Sequence, residues 1–379
     1  MKQATLKLTA LALMLAGTTG AVAQTSGSEN LSVVTTAVPF LRIAPDARSA
    51  GMGDVGIATS PDAYSGFWNN GKTPFAEKKS AISATYIPWL SDLELKDVYL
   101  VTLGGYYKLD ETQAITGGIR YFSLGNIQFT DALGAEIGRN TPREFAIDAG
   151  YSRKLSSKIG LGISLRYINS NLADGNFNGV NYKAGSSVAG DLHLYHHGIK
   201  ANGSGFNWGV TLSNLGSKIS YTDDDNQKDF IPANLGVGAS YTKKFNEDNK
   251  LTFALDLNKL LVPTPPSLGD SAGLADYRDQ GVVSSWFKSF SDGNGDGEEL
   301  KEITMAIGGE FTYKDQFSFR AGYFYEDINK GNRRFFTLGA GLKYNMIGLN
   351  VSYLLPSGTG LNRNPLSNTL RFGLSFDIK

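Results

Sequence analysis

"LRFGLSFDIK", Leu370–Lys379, decides the fold. Leu370, Phe372, Leu374, Phe376 and Ile378 alternate with Arg371, Gly373, Ser375, Asp377 and Lys379. A period of two sets the apolar side chains on one face of a strand and the small or charged ones on the other. The pattern recurs upstream. Ile159, Leu161, Ile163, Leu165 and Tyr167 alternate with Gly160, Gly162, Ser164 and Arg166. Leu251, Phe253, Leu255 and Leu257 form another apolar row, as do Phe317, Phe319, Ala321, Tyr323 and Tyr325, and Ile347, Leu349, Val351, Tyr353 and Leu355.

A secreted all-β protein also alternates, so alternation leaves two readings. Three further features favour a membrane barrel. The strands run to about ten residues or more, whereas soluble strands usually have ~5–6. Aromatics gather near strand ends, as at Tyr86, Trp89, Tyr106, Tyr107, Tyr323, Tyr325, Tyr344 and Tyr353, which fits interfacial girdles. Connections alternate in length. "LDET" (Leu109–Thr112), "LSSK" (Leu155–Lys158), "NEDN" (Asn246–Asn249) and "YKDQ" (Tyr313–Gln316) are tight. Gly125–Thr141, Asn171–Lys183, Gly216–Ile231, Val262–Leu300 and Pro356–Ser367 are long, and Ile328–Gly331 is a short exception. Tight turns on one side and long loops on the other are the outer-membrane pattern, with the turns periplasmic. The expected fold is all-β: a transmembrane antiparallel β-barrel of about 14 strands over residues 79–379.

Composition agrees. The 379 residues include 45 Gly, 21 Phe and 18 Tyr, with a mean hydropathy of −0.19. A barrel buries only alternate residues in lipid, so such a hydropathy is compatible with one. Lys2 and Lys7, the apolar run Leu8–Gly17 and "AVAQ" (Ala21–Gln24) read as an export signal over 1–23, cleaved after about Ala23. Beyond it no apolar run is long enough for a transmembrane helix. The chain has no Cys, which excludes disulfides, a thiolate nucleophile and lipidation at that site. Its 36 basic and 36 acidic residues balance, giving no electrostatic claim on nucleic acid.

Gly51, Gly53 and Gly56 spell G-x-G-x-x-G, the dinucleotide-binding spacing. That motif must follow an apolar strand and open a helix. Here "LRIAPDARSA" precedes it, carrying Pro45, Arg42, Asp46 and Arg48, and strands follow. The expected role is topological instead. Residues 24–78 precede the first barrel strand and are expected to fold inward as a hatch or plug, with the glycines allowing tight turns and close approach to the wall. Arg42, Arg48 and Asp54, together with Asp46, are candidates to meet polar wall residues such as Asp148, Arg166, Asp191 and Glu310. The plainer reading is that these charges satisfy one another inside the lumen.

"APDARSAGMGDVGIATSPDAYSGFWNN" (Ala44–Asn70) resembles the N-terminal signature of the PorV/PorQ group of FadL-like proteins of Bacteroidetes. The motif there usually ends like "NPA", and this chain departs from it with Asn70-Gly71-Lys72, which puts the local turn in question. "NSNLADGN" (Asn169–Asn176), "AGSSVAGDLHLY" (Ala184–Tyr195), "KLLVPTPP" (Lys259–Pro266), "KGNRRFFTLGAGLKYN" (Lys330–Asn345) and "NTLRFGLSF" (Asn368–Phe376) resemble blocks of the PorV branch. The resemblance implies a 14-stranded barrel with an N-terminal hatch, working in the outer membrane as a type IX secretion component. It further implies a carrier that collects cargo by its C-terminal signal domain. The cargo passes from the translocon barrel to the surface sortase complex, which links many cargoes to lipopolysaccharide.

Other constellations are weaker. His193, His196 and His197 cluster, with His193 and His197 sharing the expected lumen face with Asp191 and Tyr195; a polar wall explains them better than a metal site. "DGNGDGEE" (Asp292–Glu299) starts like a calcium loop, but Ile303 stands where the bidentate Glu belongs. The insert Val262–Leu300 carries Val282, Val283, Trp286, Phe287 and Phe290 at spacings that fit one helical face, a candidate partner-docking loop or a self-packed lid over the barrel mouth. No G-x-S-x-G or H-E-x-x-H occurs, and Ser164 near the histidines is an ordinary lumen serine, so no enzyme, cofactor or metal is expected. Two functions remain: the secretion carrier, and a FadL-type channel for hydrophobic small molecules. The polar row Asp191, His193, Glu310 and Thr312 disfavours the channel, although a one-residue register slip would reverse that. Lys379, in place of a terminal aromatic, leaves open how the assembly machinery reads the last strand.

Overall fold

Fourteen antiparallel strands close into one barrel in a computed structural model of the chain. The structure describes residues 33–90, 95–130, 133–134, 136–177, 180–224, 227–266, 270–293, 297–355 and 368–378. The export signal, Asn294, Asp296, residues 356–367 and Lys379 lie outside them. The barrel strands are β1 (Ser80–Pro88), β2 (Val98–Lys108), β3 (Gln113–Leu124), β4 (Arg143–Lys154) and β5 (Ile159–Asn171). They continue as β6 (Gly185–His196), β7 (Gly205–Gly216), β8 (Asn234–Lys244), β9 (Asn249–Leu260) and β10 (Thr304–Tyr313). β11 (Phe317–Tyr325), β12 (Arg334–Tyr344), β13 (Ile347–Leu354) and β14 (Leu370–Ile378) complete the wall. β1 pairs with β14 from Ser80 opposite Ile378 to Tyr86 opposite Phe372, so the barrel sheet closes on itself.

The alternation is that of a water-soluble protein turned inside out. In β5, Leu161, Ile163, Leu165 and Tyr167 point outward, and Leu165 is 67% exposed. Gly160, Gly162, Ser164 and Arg166 point inward and are buried. Such a surface is stable only against hydrocarbon, and a closed sheet is the β-structure that hydrocarbon tolerates. Tyr86, Tyr107 and Tyr344 face out, as expected of girdle residues. Tyr106 and Trp89 correct that expectation. Tyr106 is buried, and its hydroxyl donates to the Lys78 carbonyl at 3.2 Å. Trp89 packs on the internal cluster around Phe122.

The long connections carry structure of their own. Ile127–Thr130 pairs with Glu136–Asn140, Gly175–Phe177 with Val180–Tyr182, and Ile219–Ser220 with Lys228–Asp229. The connection from β9 to β10 holds three helices: α3 (Ser271–Asp279), α4 (Val282–Lys288) and α5 (Glu298–Lys301). α1 (Ala47–Ala50) and α2 (Ser65–Trp68) belong to the segment that precedes β1.

Residues 33–77 run through the lumen. Val38, Phe40 and Leu41 pack on Ile87, Leu100, Phe122 and Ile168, inward residues at the loop-bearing ends of their strands. Met52 and Val55 pack on Ala254, Ala306, Phe324 and Phe335. Phe75 reaches Tyr195 and His197 at the turn-bearing end of β6. The segment therefore passes from the loop-bearing mouth to the turn side before the chain enters the wall.

Candidate functional site

The three glycines of Gly51–Gly56 sit where the segment touches the wall or itself. A Cβ on Gly51 would lie 3.0 Å from Gly339 Cα. Gly53 has φ +73°, and a Cβ there would lie 2.6 Å from the Tyr323 nitrogen. A Cβ on Gly56 would penetrate the Trp68 indole at 2.1 Å. The motif thus serves close approach of backbone to backbone and to an indole, which only glycine permits.

Polar clamps hold the same turn. Asp256 of β9 accepts the amides of Gly56 at 2.7 Å and Ile57 at 2.9 Å. Lys72 donates to the Gly56 carbonyl at 2.7 Å and to the Thr59 hydroxyl at 3.1 Å. Lys72 is 1% exposed, and burial lowers its pKa to about 8. Asp46 caps α1 through the Ser49 amide at 2.7 Å and accepts the Trp68 indole N–H at 2.7 Å. The Gly53 amide donates to Thr337 of β12 at 2.9 Å.

The charges singled out in the sequence divide into two groups. Arg48 meets Glu310 of β10 through two bonds, at 2.8 and 3.0 Å, and also pairs with Asp62 at 2.8 Å. Burial opposes the Arg48 charge, but Glu310 and Asp62 outweigh it and raise the pKa. Arg320 of β11 shares Glu310 at 2.6 Å. Asp54 pairs with Arg371 of β14 at 3.2 Å, and Arg42 with Glu326 just after β11 at 3.4 Å. Asp148, Arg166 and Asp191 form the other group. Arg166 binds Asp148, and Asp191 at 2.9 Å, within the wall. Asp191 also accepts the Asn214 amide at 2.7 Å, at the register shift between β6 and β7. None of these three forms an ion pair with the internal segment among the described residues. Arg371, Glu326, Asp256 and Lys72 are the contacts that sequence reasoning missed. Alternation marks Arg371 and Asp256 as inward, but the path of the segment selects them.

The departure at Asn70-Gly71-Lys72 has a local cause. Asn69 accepts the Gly71 amide at 3.0 Å and donates to the Leu194 carbonyl at 3.0 Å. Proline at position 71 would lack that N–H. Residues Asn70–Phe75 form a 3₁₀ turn against β5, with the Asn70 amide donating to the Ile163 carbonyl at 3.2 Å.

The family model described as type IX secretion system protein PorV matches residues 26–267. The chain belongs to the PorV family. No curated protein matches it. Among solved structures it is similar to the TodX deltaS2S3 mutant monoaromatic hydrocarbon channel, at 12% identity over 88% of this chain and 99% of that one, with a TM-score of 0.51. It is similar to the Ralstonia pickettii toluene transporter TbuX at 11% identity, over 92% and 98% of the two chains, with a TM-score of 0.51. The Pseudomonas putida toluene transporter TodX gives 12% identity, 92% and 98% coverage, and a TM-score of 0.50. At these identities the likeness is one of fold. Membership of the PorV family and the barrel together make the chain an outer-membrane component of type IX secretion.

In this PorV-family barrel the β9–β10 connection is anchored at one end and open at the other. Lys218 donates to the carbonyls of Arg278 at 2.6 Å and Gln280 at 2.7 Å, and lies 4.1 Å from the Phe230 ring centre. Tyr277 of α3 stacks edge-on against Phe230. On α4 the aromatic stripe splits. Trp286 is half-buried, whereas Val283, Phe287 and Phe290 are exposed, Phe287 at 73%. The outward face of α4 is therefore Val283–Phe287, Trp286 is half-buried, and the ring centre of Phe290 in the following turn lies 5.5 Å from Lys259 Nζ. Asp292, Glu299 and Glu302 bring carboxylate oxygens within 4.8 Å of one another. Lys259 takes Glu299 at 2.9 Å and also Glu302, and Lys330 takes Glu302 at 3.1 Å. The histidines are dispersed: His193 is buried, His196 stacks on Trp208 and His197 on Phe75.

Proposed function

We propose that this outer-membrane barrel is a non-enzymatic carrier of type IX secretion. It binds secreted proteins through their C-terminal signal domain, receives them from the translocon barrel and presents them to the surface sortase complex for attachment to lipopolysaccharide. The observation that carries this reading is the family match over residues 26–267. Residues 24–78, of which those from 33 on are described, act as a hatch. Their ion pairs and amide clamps to β9, β10, β12 and β14 support a lumen sealed against free diffusion. Partner docking is assigned to α4 and the turn after it, where Val283 and Phe287 are exposed at the loop-bearing mouth and Phe290 is half-exposed beside Lys259. The alternative, a transporter of hydrophobic small molecules, draws on fold likeness alone, and the charged lumen disfavours it.

Deleting the gene and measuring the proteins of the medium and cell surface tests the reading. The expected result is loss of proteins bearing the C-terminal secretion signal from the outside and their accumulation, uncleaved, in cells. Intact secretion with reduced uptake of hydrophobic compounds would replace the carrier by the transporter.

A further inference from the structure

Arg120 of β3 is 3% exposed and projects into the lumen. One guanidinium nitrogen donates to the Leu41 carbonyl at 2.9 Å, the group lies 4.8 Å from the Phe67 ring centre, and Nε has no acceptor. The other lumen arginines are paired: Arg48 and Arg320 with Glu310, Arg166 with Asp148 and Asp191, Arg371 with Asp54, Arg42 and Arg333 with Glu326. Arg120 has no carboxylate at ion-pair distance among the described residues; the aspartates beside it are turned to Arg166. A buried cation without a counter-charge is unfavourable, so its environment calls for an anion or for water.

Space for one exists. Arg120 lines a cavity of about 150 Å³ between residues 41–45 of the internal segment and the inner faces of β7–β10. Arg42, Lys330 and Arg333, each paired with a carboxylate, line it toward the loop-bearing mouth, and Arg120 is the one lining cation without an ion pair among the described residues. A cavity of this volume holds a molecule about the size of benzene. A charged guanidinium N–H is a strong donor to an oxygen of a carboxylate or a phosphate group.

We propose that the lumen cavity is a binding site for a small oxyanion, a carboxylate or phosphate group, held by Arg120 and reached past Arg42 and Arg333. The site is independent of the carrier reading. It differs from the α4 surface in ligand and in place.

The test uses the full-length protein purified in detergent. Equilibrium dialysis of the wild type against labelled inorganic phosphate and labelled acetate, in excess sodium chloride, is expected to show saturable binding of about one anion per chain. Competition between the two identifies which group is preferred. Arg120→Gln is expected to lower the affinity at least tenfold, and Arg120→Lys to recover part of it. Absence of saturable binding of either anion to the wild type assigns the cavity to water and overturns the proposal. So does unchanged binding in Arg120→Gln. Wild-type dialysis decides the matter even where the variant fails to assemble.

Discussion

Removing the Arg48 side chain should undock the middle of the internal segment without opening the barrel. Arg48 is held by Glu310 through two bonds and by Asp62 through one; Glu310 is buried, and the Arg48 side chain is only 15% exposed. Breaking a buried pair by deleting one partner costs about 3–5 kcal/mol, because the remaining charge is left uncompensated. Here Arg320 still contacts Glu310 at 2.6 Å, so the cost of Arg48→Ala belongs at the lower end, about 3 kcal/mol. A tenfold change in an equilibrium corresponds to about 1.4 kcal/mol, so local opening should become on the order of 100-fold more frequent. Hydrogen exchange reads that opening residue by residue. The protected amides of Ala50–Ile57 should exchange on the order of 100-fold faster in Arg48→Ala, while those of β5 and β6 keep their rates. Arg48→Lys should fall between, since lysine keeps the charge but loses the fork. Unchanged protection of Ala50–Ile57 would refute the view that this ion pair holds the segment. A uniform rise across the wall would show that the segment and barrel open as one unit.

Three further outcomes are expected. Gly53→Ala places a Cβ 2.6 Å from the Tyr323 nitrogen at φ +73°, where the left-handed backbone alone costs about 1–2 kcal/mol; protection of the 50–57 amides should collapse while barrel assembly persists on a heat-shift gel. Lys72 has a pKa of about 8 when buried against 10.5 in an open chain, so the open state binds more protons between those values and docking should strengthen as pH rises from 8 to 10.5, by about 3 kcal/mol. Below pH 8 the Lys72 contribution should level off, and Lys72→Met should remove the rise between pH 8 and 10.5, as read by exchange corrected for intrinsic rates. Val283→Ser combined with Phe287→Ser should leave the barrel assembled but reduce recovery of signal-bearing cargo in a pull-down; undiminished recovery would remove α4 from the docking surface.

The barrel was legible because the inside–outside contrast is written at every second residue. Leu161 to Tyr167 and Leu370 to Phe376 declare an outward apolar face, and Arg166 and Arg371 fall inward by the same count. Alternation turns Tyr106 inward beside outward Tyr107, so the girdle reading from strand-end position failed there, and Trp89 lies just past the end of β1, outside the alternation. Arg48 and Glu310 stand out as charges in unusual places, and they meet. Their neighbours were harder to assign. Which inward charge meets which residue of the internal segment depends on the path of a loop with no periodicity, so nothing local to Asp256, Glu326 or Arg371 names its partner. Lys72 reads as an ordinary surface lysine until Gly56 and Asp256 are seen around it. Arg120 is likewise distinguished only by what it lacks.

The contacts of the internal segment reach far along the chain. Its turn is clamped by Asp256, Thr337 and Arg371, which arrive about 200 to 317 residues after the segment itself. The segment therefore has its full set of bonds only when strands far along the chain are present. The clamp on residues 47–57 is complete only when β9, β12 and β14 are all in place, and Arg371 belongs to the strand that closes the wall against β1. Seating of the segment reports completion of the barrel, and a chain truncated before β14 would present an unoccupied Asp54 to whatever inspects it.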